Sequence, residues 1–238
     1  MKTTHKILLA ALSLAPAFIG AQSILIDFSG SDSPTTGGNW NNAINPGLDV
    51  TYTYALISDL IDSTGAGTGI ALNITDGFHG RNTAGTTSGP FPSTATSDSW
   101  YTANDTWEPN PGDPLDNGFG VLEFTGLDAS KTYDFTMFAS RLGGSDNRET
   151  EYTFSGANLE TVFLDAAGNT TNTITASGLN PTAGGIISLT VRAGENNTTS
   201  QQFAYLGVIE MNVIPEPGSF ALVLSAVATG FVMVRRRR

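Results

Sequence analysis

Apolar side chains in this chain recur at every second residue, a period that suits strands and not amphipathic helices. Ile70, Leu72 and Ile74 alternate with Ala71, Asn73 and Thr75. Tyr133, Phe135, Met137 and Ala139 alternate with Asp134, Thr136, Phe138 and Ser140, and Ile187, Leu189 and Val191 with Ser188, Thr190 and Arg192. Further strands are expected at 24–28, 50–54, 121–125, 151–155, 161–164, 171–176 and 204–213. The last is apolar on both faces, which suits a central strand. A helix of about two turns is expected only at 55–62. Residues 76–118 are rich in Gly, Pro, Ser, Thr and Asn and read as a long loop, or as a stretch hiding strands around Trp100 to Trp107.

Turn chemistry separates the strands. Gly126 to Lys131, Gly143 to Asn147, Ala166 to Asn169 and Gly194 to Asn197 carry the Gly, Asn, Asp and Ser that tight turns need. Gly65-Ala66-Gly67-Thr68-Gly69 precedes a strand and lacks the lysine of a phosphate-binding loop, so it also reads as a turn. Many short strands with such turns predict an all-β fold, an antiparallel sandwich of jelly-roll type. Period two fits an immunoglobulin-like sandwich as well, but the Cys-Trp-Cys signature of that fold is absent because the chain has no cysteine. Disulfides, thiolate metal sites and cysteine nucleophiles are thereby excluded.

The two ends point to export. Lys2 and Lys6 precede an apolar run from Ile7 to Ile19 and a small-residue exit near Ala21, the pattern of a secretory signal peptide over residues 1–21. At the other end, over 214–238, Pro215-Glu216-Pro217 is followed by an uncharged run from Phe220 to Val234 and then Arg235, Arg236, Arg237 and Arg238. The prolines forbid a helix there, the apolar run suits lipid, and the arginines resist crossing it. Fifteen residues at ~1.5 Å make about 22 Å, short of the ~30 Å hydrocarbon core, so the anchor is marginal. Between these ends lies a body at 22–213, long enough for one core and one domain. It holds five basic residues, Arg81, Lys131, Arg141, Arg148 and Arg192, against 21 acidic ones, a formal net charge of −16. Such a surface repels phosphate backbones, so nucleic acid is not an expected partner.

The tail resembles the PEP-CTERM sorting signal of Gram-negative bacteria in its three ordered parts: Pro215-Glu216-Pro217, the apolar stretch, and Arg235 to Arg238. The resemblance covers about a tenth of the chain. It implies recognition by an exosortase, a transient inner-membrane anchor, cleavage near the Pro-Glu-Pro and delivery to the cell surface or extracellular matrix. A second, looser resemblance runs through Leu122 to Leu127, Thr132 to Phe135, Ala139 to Arg141, Asp146 to Thr150, Leu164 to Thr170 and Phe203 to Gly207. This stretch resembles a galactose-binding-like β-sandwich, which implies a fold and carbohydrate as a ligand class, with extracellular polysaccharide as the expected partner.

Candidate chemistry is sparse. Trp40, Trp100, Tyr101 and Trp107 stand in polar surroundings, where flat rings suit the C–H faces of sugars and Asn39, Asn41, Asn104 and Asp105 suit their hydroxyls. The competing role for each ring is to plug the end of the sandwich. Asp113, Asp116 and Asn117 share one short turn, and Asp146, Asn147 and Glu149 another; both offer oxygens suited to a structural calcium, although solvated turns explain them equally. His79 is the one histidine of the body, so multi-histidine zinc sites are excluded and a Ser-His-Asp site would rest on it alone. The sequence therefore reads as a non-catalytic structural or carbohydrate-contacting protein. The alternative is a glycosidase or lyase using paired carboxylates, which are recognised by distance in space rather than by sequence.

Overall fold

The alternating pattern folds into two facing sheets. The computed structural model describes residues 22–30, 35–45, 54–104 and 118–214. One sheet has the order β11 (Ile174–Leu179), β8 (Thr132–Phe138), β14 (Val208–Ile214), β1 (Gln22–Gly30), β2 (Trp40–Asn45). The other has the order β10 (Leu159–Asp165), β9 (Glu149–Ser155), β12 (Ile186–Ala193), β7 (Phe119–Thr125), β4 (Ala71–Asp76), β3 (Tyr54–Ile57). A three-stranded ribbon joins β13 (Ala204–Leu206), β6 (Ser99–Thr102) and β5 (Gly80–Asn82). The described residues contain no helix long and apolar enough to cross a membrane. The proposed signal peptide and the sorting tail, including Pro215, Glu216, Pro217 and Arg235 to Arg238, lie outside the described residues.

The core forms where the inner faces meet. Ile24, Ile26, Phe28, Phe135, Met137 and Met211 from the first sheet join Leu72, Leu122, Phe124, Phe154, Leu189 and Val191 from the second in one buried cluster. The Phe135 ring lies 4.7 Å from Phe154 and 5.1 Å from Phe124, directly bridging the sheets. Burying each such ring contributes about 1.5–3 kcal/mol. The strand expected at 204–213 is indeed central, but Gly207 divides it. A Cβ at Gly207 would sit 3.0 Å from the Phe138 carbonyl oxygen, a tight contact that glycine relieves as the chain leaves the ribbon for β14.

Three expectations need correction. The pairing is not wholly antiparallel: β1 and β2 run parallel, with Leu25 opposite Trp40. β2 was hidden because Trp40-Asn41-Asn42-Ala43 lacks an apolar alternation; it is an edge strand that places only Ala43 in the central core cluster. No helix forms at 55–62. Instead β3 pairs with β4, and the chain closes a hairpin through Leu60 N–H to the Ile70 carbonyl and Thr68 N–H to the Leu60 carbonyl. The Asp59 and Asp62 carboxylates accept from the N–H groups of Thr64, Ala66, Thr68 and Gly69, which fixes the loop of this hairpin. Finally, of the two readings of 76–118 the long loop gives way to the hidden strands: its described residues contain β5, β6 at Trp100 and a single helical turn, α1 (Ser93–Thr96), whose Ala95 packs on Phe138 and Val208 over the outer face of the first sheet.

Beneath this cover lies a carboxyl group with little compensation. Asp27, fully buried, accepts through Oδ2 from Thr36 N–H at 3.2 Å and from Thr36 Oγ1 at 2.8 Å, while its Oδ1 has no hydrogen-bond partner among the described residues. Burial pushes its pKa up to about 7; the Thr36 hydrogen bonds oppose the shift and repulsion from Asp98 adds to it. Below about pH 4 both folded and unfolded chains are protonated there, so the group contributes nothing to the difference. As pH rises from there to about 7, the unfolded chain releases a proton that the folded chain still holds, and stability falls.

Two outcomes follow from this architecture. Phe135→Ala lowers unfolding free energy by about 3–5 kcal/mol in denaturant titrations, as expected for a large cavity between the sheets. The melting temperature of the unaltered protein falls between pH 5 and pH 8. In Asp27→Asn, which carries no titrating proton, calorimetry shows that fall markedly reduced.

Candidate functional site: an arginine and aromatic platform

The ribbon sorts its aromatic residues by the same period of two. Tyr101 pairs with Tyr205 across β6 and β13, and Trp100 with Leu206. Trp100 and Leu206 therefore turn into the core, and Tyr101 and Tyr205 away from it. Trp100 is fully buried, with its ring 5.1 Å from Phe28 and 5.2 Å from Phe78, and its Nε1–H donates to the Ser29 carbonyl at 2.9 Å. The expectation of Trp100 as a ligand-facing ring is corrected: it is a core plug with its polar atom satisfied inside.

Tyr101 stands on the other face. Its half-buried ring lies 5.6 Å from Phe203, 6.3 Å from Tyr205 and 5.7 Å from His79. Arg148 lies across this group, its guanidinium carbon 5.5 Å from the Phe203 ring centre and 5.8 Å from that of Tyr205. Arg148 Nη1 donates to the Tyr205 hydroxyl, and Arg141, whose own Nη1 donates to the Leu142 carbonyl at 2.5 Å, is a second positive charge acting on that hydroxyl. Burial pushes the Tyr205 phenol up, against the opposing pull of Arg148 and Arg141, so it stays neutral. Two buried partners fix its backbone: Tyr205 N–H donates to Thr150 Oγ1 at 2.9 Å, and the Tyr152 hydroxyl donates to the Tyr205 carbonyl at 2.5 Å.

Loops set the remaining positions. Asp165 Oδ1 accepts from Arg148 N–H and Ala167 N–H, each at 2.9 Å, while Arg141 N–H donates to the Ala166 carbonyl. The Phe203 loop is held by Asn197, whose Nδ2 donates to the Phe203 and Glu149 carbonyls. Immediately before Phe203, Gln202 has φ +50°, a left-handed conformation found at no other non-glycine among the described residues. Strain of this kind persists only where surrounding contacts over-determine it.

The other sequence candidates are scattered. Trp40 is half-buried and packs edge-on against Phe91 at 6.0 Å, beside α1 and not on the platform. Asn41 is buried at the β2 edge; it donates to the Leu25 and Ile61 carbonyls and accepts from Ile61 N–H. Asn39 and Asn104 donate to the Ser63 and Ser200 carbonyls. Trp107, Asp105, Asp113, Asp116 and Asn117 lie outside the described residues. Asp146 and Glu149 have separate partners: Asp146 lies 3.6 Å from Arg148 Nη2, and Glu149 accepts from Asn196 N–H and Nδ2. Among the described residues no group of three or more His, Asp or Glu gathers as a metal site.

Sequence reasoning missed Arg141, Arg148, Phe203 and Tyr205 as site residues. The available signal was the pairing of Phe203-Ala204-Tyr205, aromatic at period two, with two of the body's five basic residues.

No family model and no curated protein matches the chain. Among solved structures, the ANX2 ectodomain of Arabidopsis thaliana aligns over 82% of this chain at 11% identity, with a TM-score of 0.42. The ANXUR1 extracellular domain from the same plant gives 11% identity, 82% coverage and a TM-score of 0.41. The chain spans 43% and 49% of these two structures, less than half of each. TmCBM61 in complex with β-1,4-galactotriose aligns over 50% of this chain and 72% of its own, at 13% identity and a TM-score of 0.26.

The interior placement of Trp100 has a measurable consequence. Trp100→Phe lowers stability by about 1–3 kcal/mol in urea titrations, because the buried Ser29 carbonyl loses its donor. In a variant with Trp40 and Trp107 replaced by Phe, the remaining Trp100 emission is insensitive to iodide.

Proposed function

We propose that the protein is an exported, non-catalytic protein of the cell surface or extracellular matrix, and that the ribbon platform contacts carbohydrate. The observation that carries this reading is the convergence of the Tyr101 and Phe203 rings, both half-buried, with the Arg148 and Arg141 guanidiniums. Apolar ring faces suit the C–H surface of a pyranose, and guanidinium donors suit its hydroxyls. The nearby carboxylates already have tasks: Asp165 organises two backbone N–H groups and Asp146 faces Arg148. That arrangement favours binding over carboxylate catalysis. The signal-peptide pattern and the Pro-Glu-Pro tail support passage through the inner membrane and handling by an exosortase.

Affinity electrophoresis of the full chain in gels containing bacterial exopolysaccharide tests the reading. Migration is retarded, Tyr101→Ala loses about tenfold or more in affinity as an aromatic contact is removed, and no new reducing ends or unsaturated products appear. Unretarded migration across a broad polysaccharide panel overturns the binding role, and turnover overturns the non-catalytic one.

A further inference from the structure

The distribution of cations narrows the ligand. The body carries a formal net charge of −16 with only five basic residues. Lys131 lies 3.7 Å from Asp128, and Arg192 lies 2.7 Å from Glu151, so each has a carboxylate of its own. Arg148 instead donates to one neutral phenol, Tyr205, and Arg141, bonded to the Leu142 carbonyl, is the second cation whose charge acts there. Arg141 makes no ion pair among the described residues. Arg148 has only Asp146, at 3.6 Å, and the Asp146 side chain is about half exposed at 52%. Nη2 is the guanidinium nitrogen turned to the exposed Asp146 carboxylate, while Nε is buried beneath Gly144, where an added Cβ would lie 2.9 Å away. Two like charges held at one uncharged hydroxyl in an acidic protein leave an attraction for an anion unspent, beside rings already suited to sugar.

Resting on the carbohydrate reading above, we infer that the platform recognises an acidic sugar, a uronate within an otherwise neutral glycan, its carboxylate bridging Arg141 and Arg148 in place of Asp146. The long-range field disfavours dense polyanions. A single uronate is instead read at contact distance, where hydrogen bonds from charged donors dominate. Arg148 also lies over the rings of Phe203 and Tyr205, so the same guanidinium that holds the carboxylate orients the sugar against the aromatic wall. No bond is made or broken.

The test is calorimetric titration of the full chain with an oligosaccharide bearing one glucuronate, compared with the same oligosaccharide after reduction of its carboxyl group to a primary alcohol. The acidic form binds on the order of tenfold more tightly than the reduced form, within the range of a charge-assisted hydrogen-bonded pair. Arg141→Gln removes that preference, weakening the acidic form more than the reduced form. Asp146→Asn, which deletes the competing carboxylate at an exposed site, strengthens binding of the acidic form, and Lys131→Gln changes neither. Equal affinity for the two forms, or no gain in Asp146→Asn, overturns the uronate assignment and leaves carbohydrate binding standing. Failure of both forms to bind, alongside unretarded migration on the polysaccharide panel, overturns the two together. Unchanged melting curves show that loss of binding in a variant is not loss of fold.

Discussion

Everything in this molecule depends on apolar faces pressed together without covalent help. A chain with no cysteine has no disulfide to restrain its unfolded state. Its order must come from burial, and burial must be continuous across both layers. Phe135, in contact with Phe124 and Phe154, is where that continuity is most visible. The sheets meet through rings, so the long loops above them are not needed to hold the layers together.

The polar groups taken inside show where this economy is strained. Asp27 is held by Thr36 alone on one oxygen, and Asp98 lies close enough to oppose its ionisation. Replacing such a group by an apolar one of similar shape is often neutral or favourable, so its presence is not explained by stability. The platform differs, because its backbone is densely bonded although Arg148 Nε is buried without a partner. Thr150, Tyr152, Asn197 and Asp165 each fix backbone next to a ring or a guanidinium. Preorganisation of this kind reduces the ordering that binding would otherwise require.

The inner layers were legible in the sequence because burial on one face of a strand imposes alternation, as at 70–74, 133–139 and 187–191. β2 was not, since this edge strand beside a parallel partner places only Ala43 in the central core and leaves Trp40 and Ile44 outside it among three Asn. The helical pattern at 55–62 gave way to pairing of β3 with β4, a partner that the period of a short segment does not reveal. Tyr101 was found through its polar surroundings, and the same criterion misled at Trp100. Neighbouring polarity says nothing about which of two consecutive strand residues points inward. Arg141 and Arg148 escaped because their meeting at Tyr205 links turns and strands more than fifty residues apart. No local spacing encodes that meeting.

Trp100 and Tyr101 are adjacent in one short strand, one locked into the interior by Phe28, Phe78 and the Ser29 carbonyl, the other displayed outside. The peptide link between them works as a pivot: the hidden indole sets the tilt of the visible phenol. The outer face is thereby tethered to the interior, and under the binding role proposed above, damage deep in the molecule would surface as altered selectivity before the protein came apart.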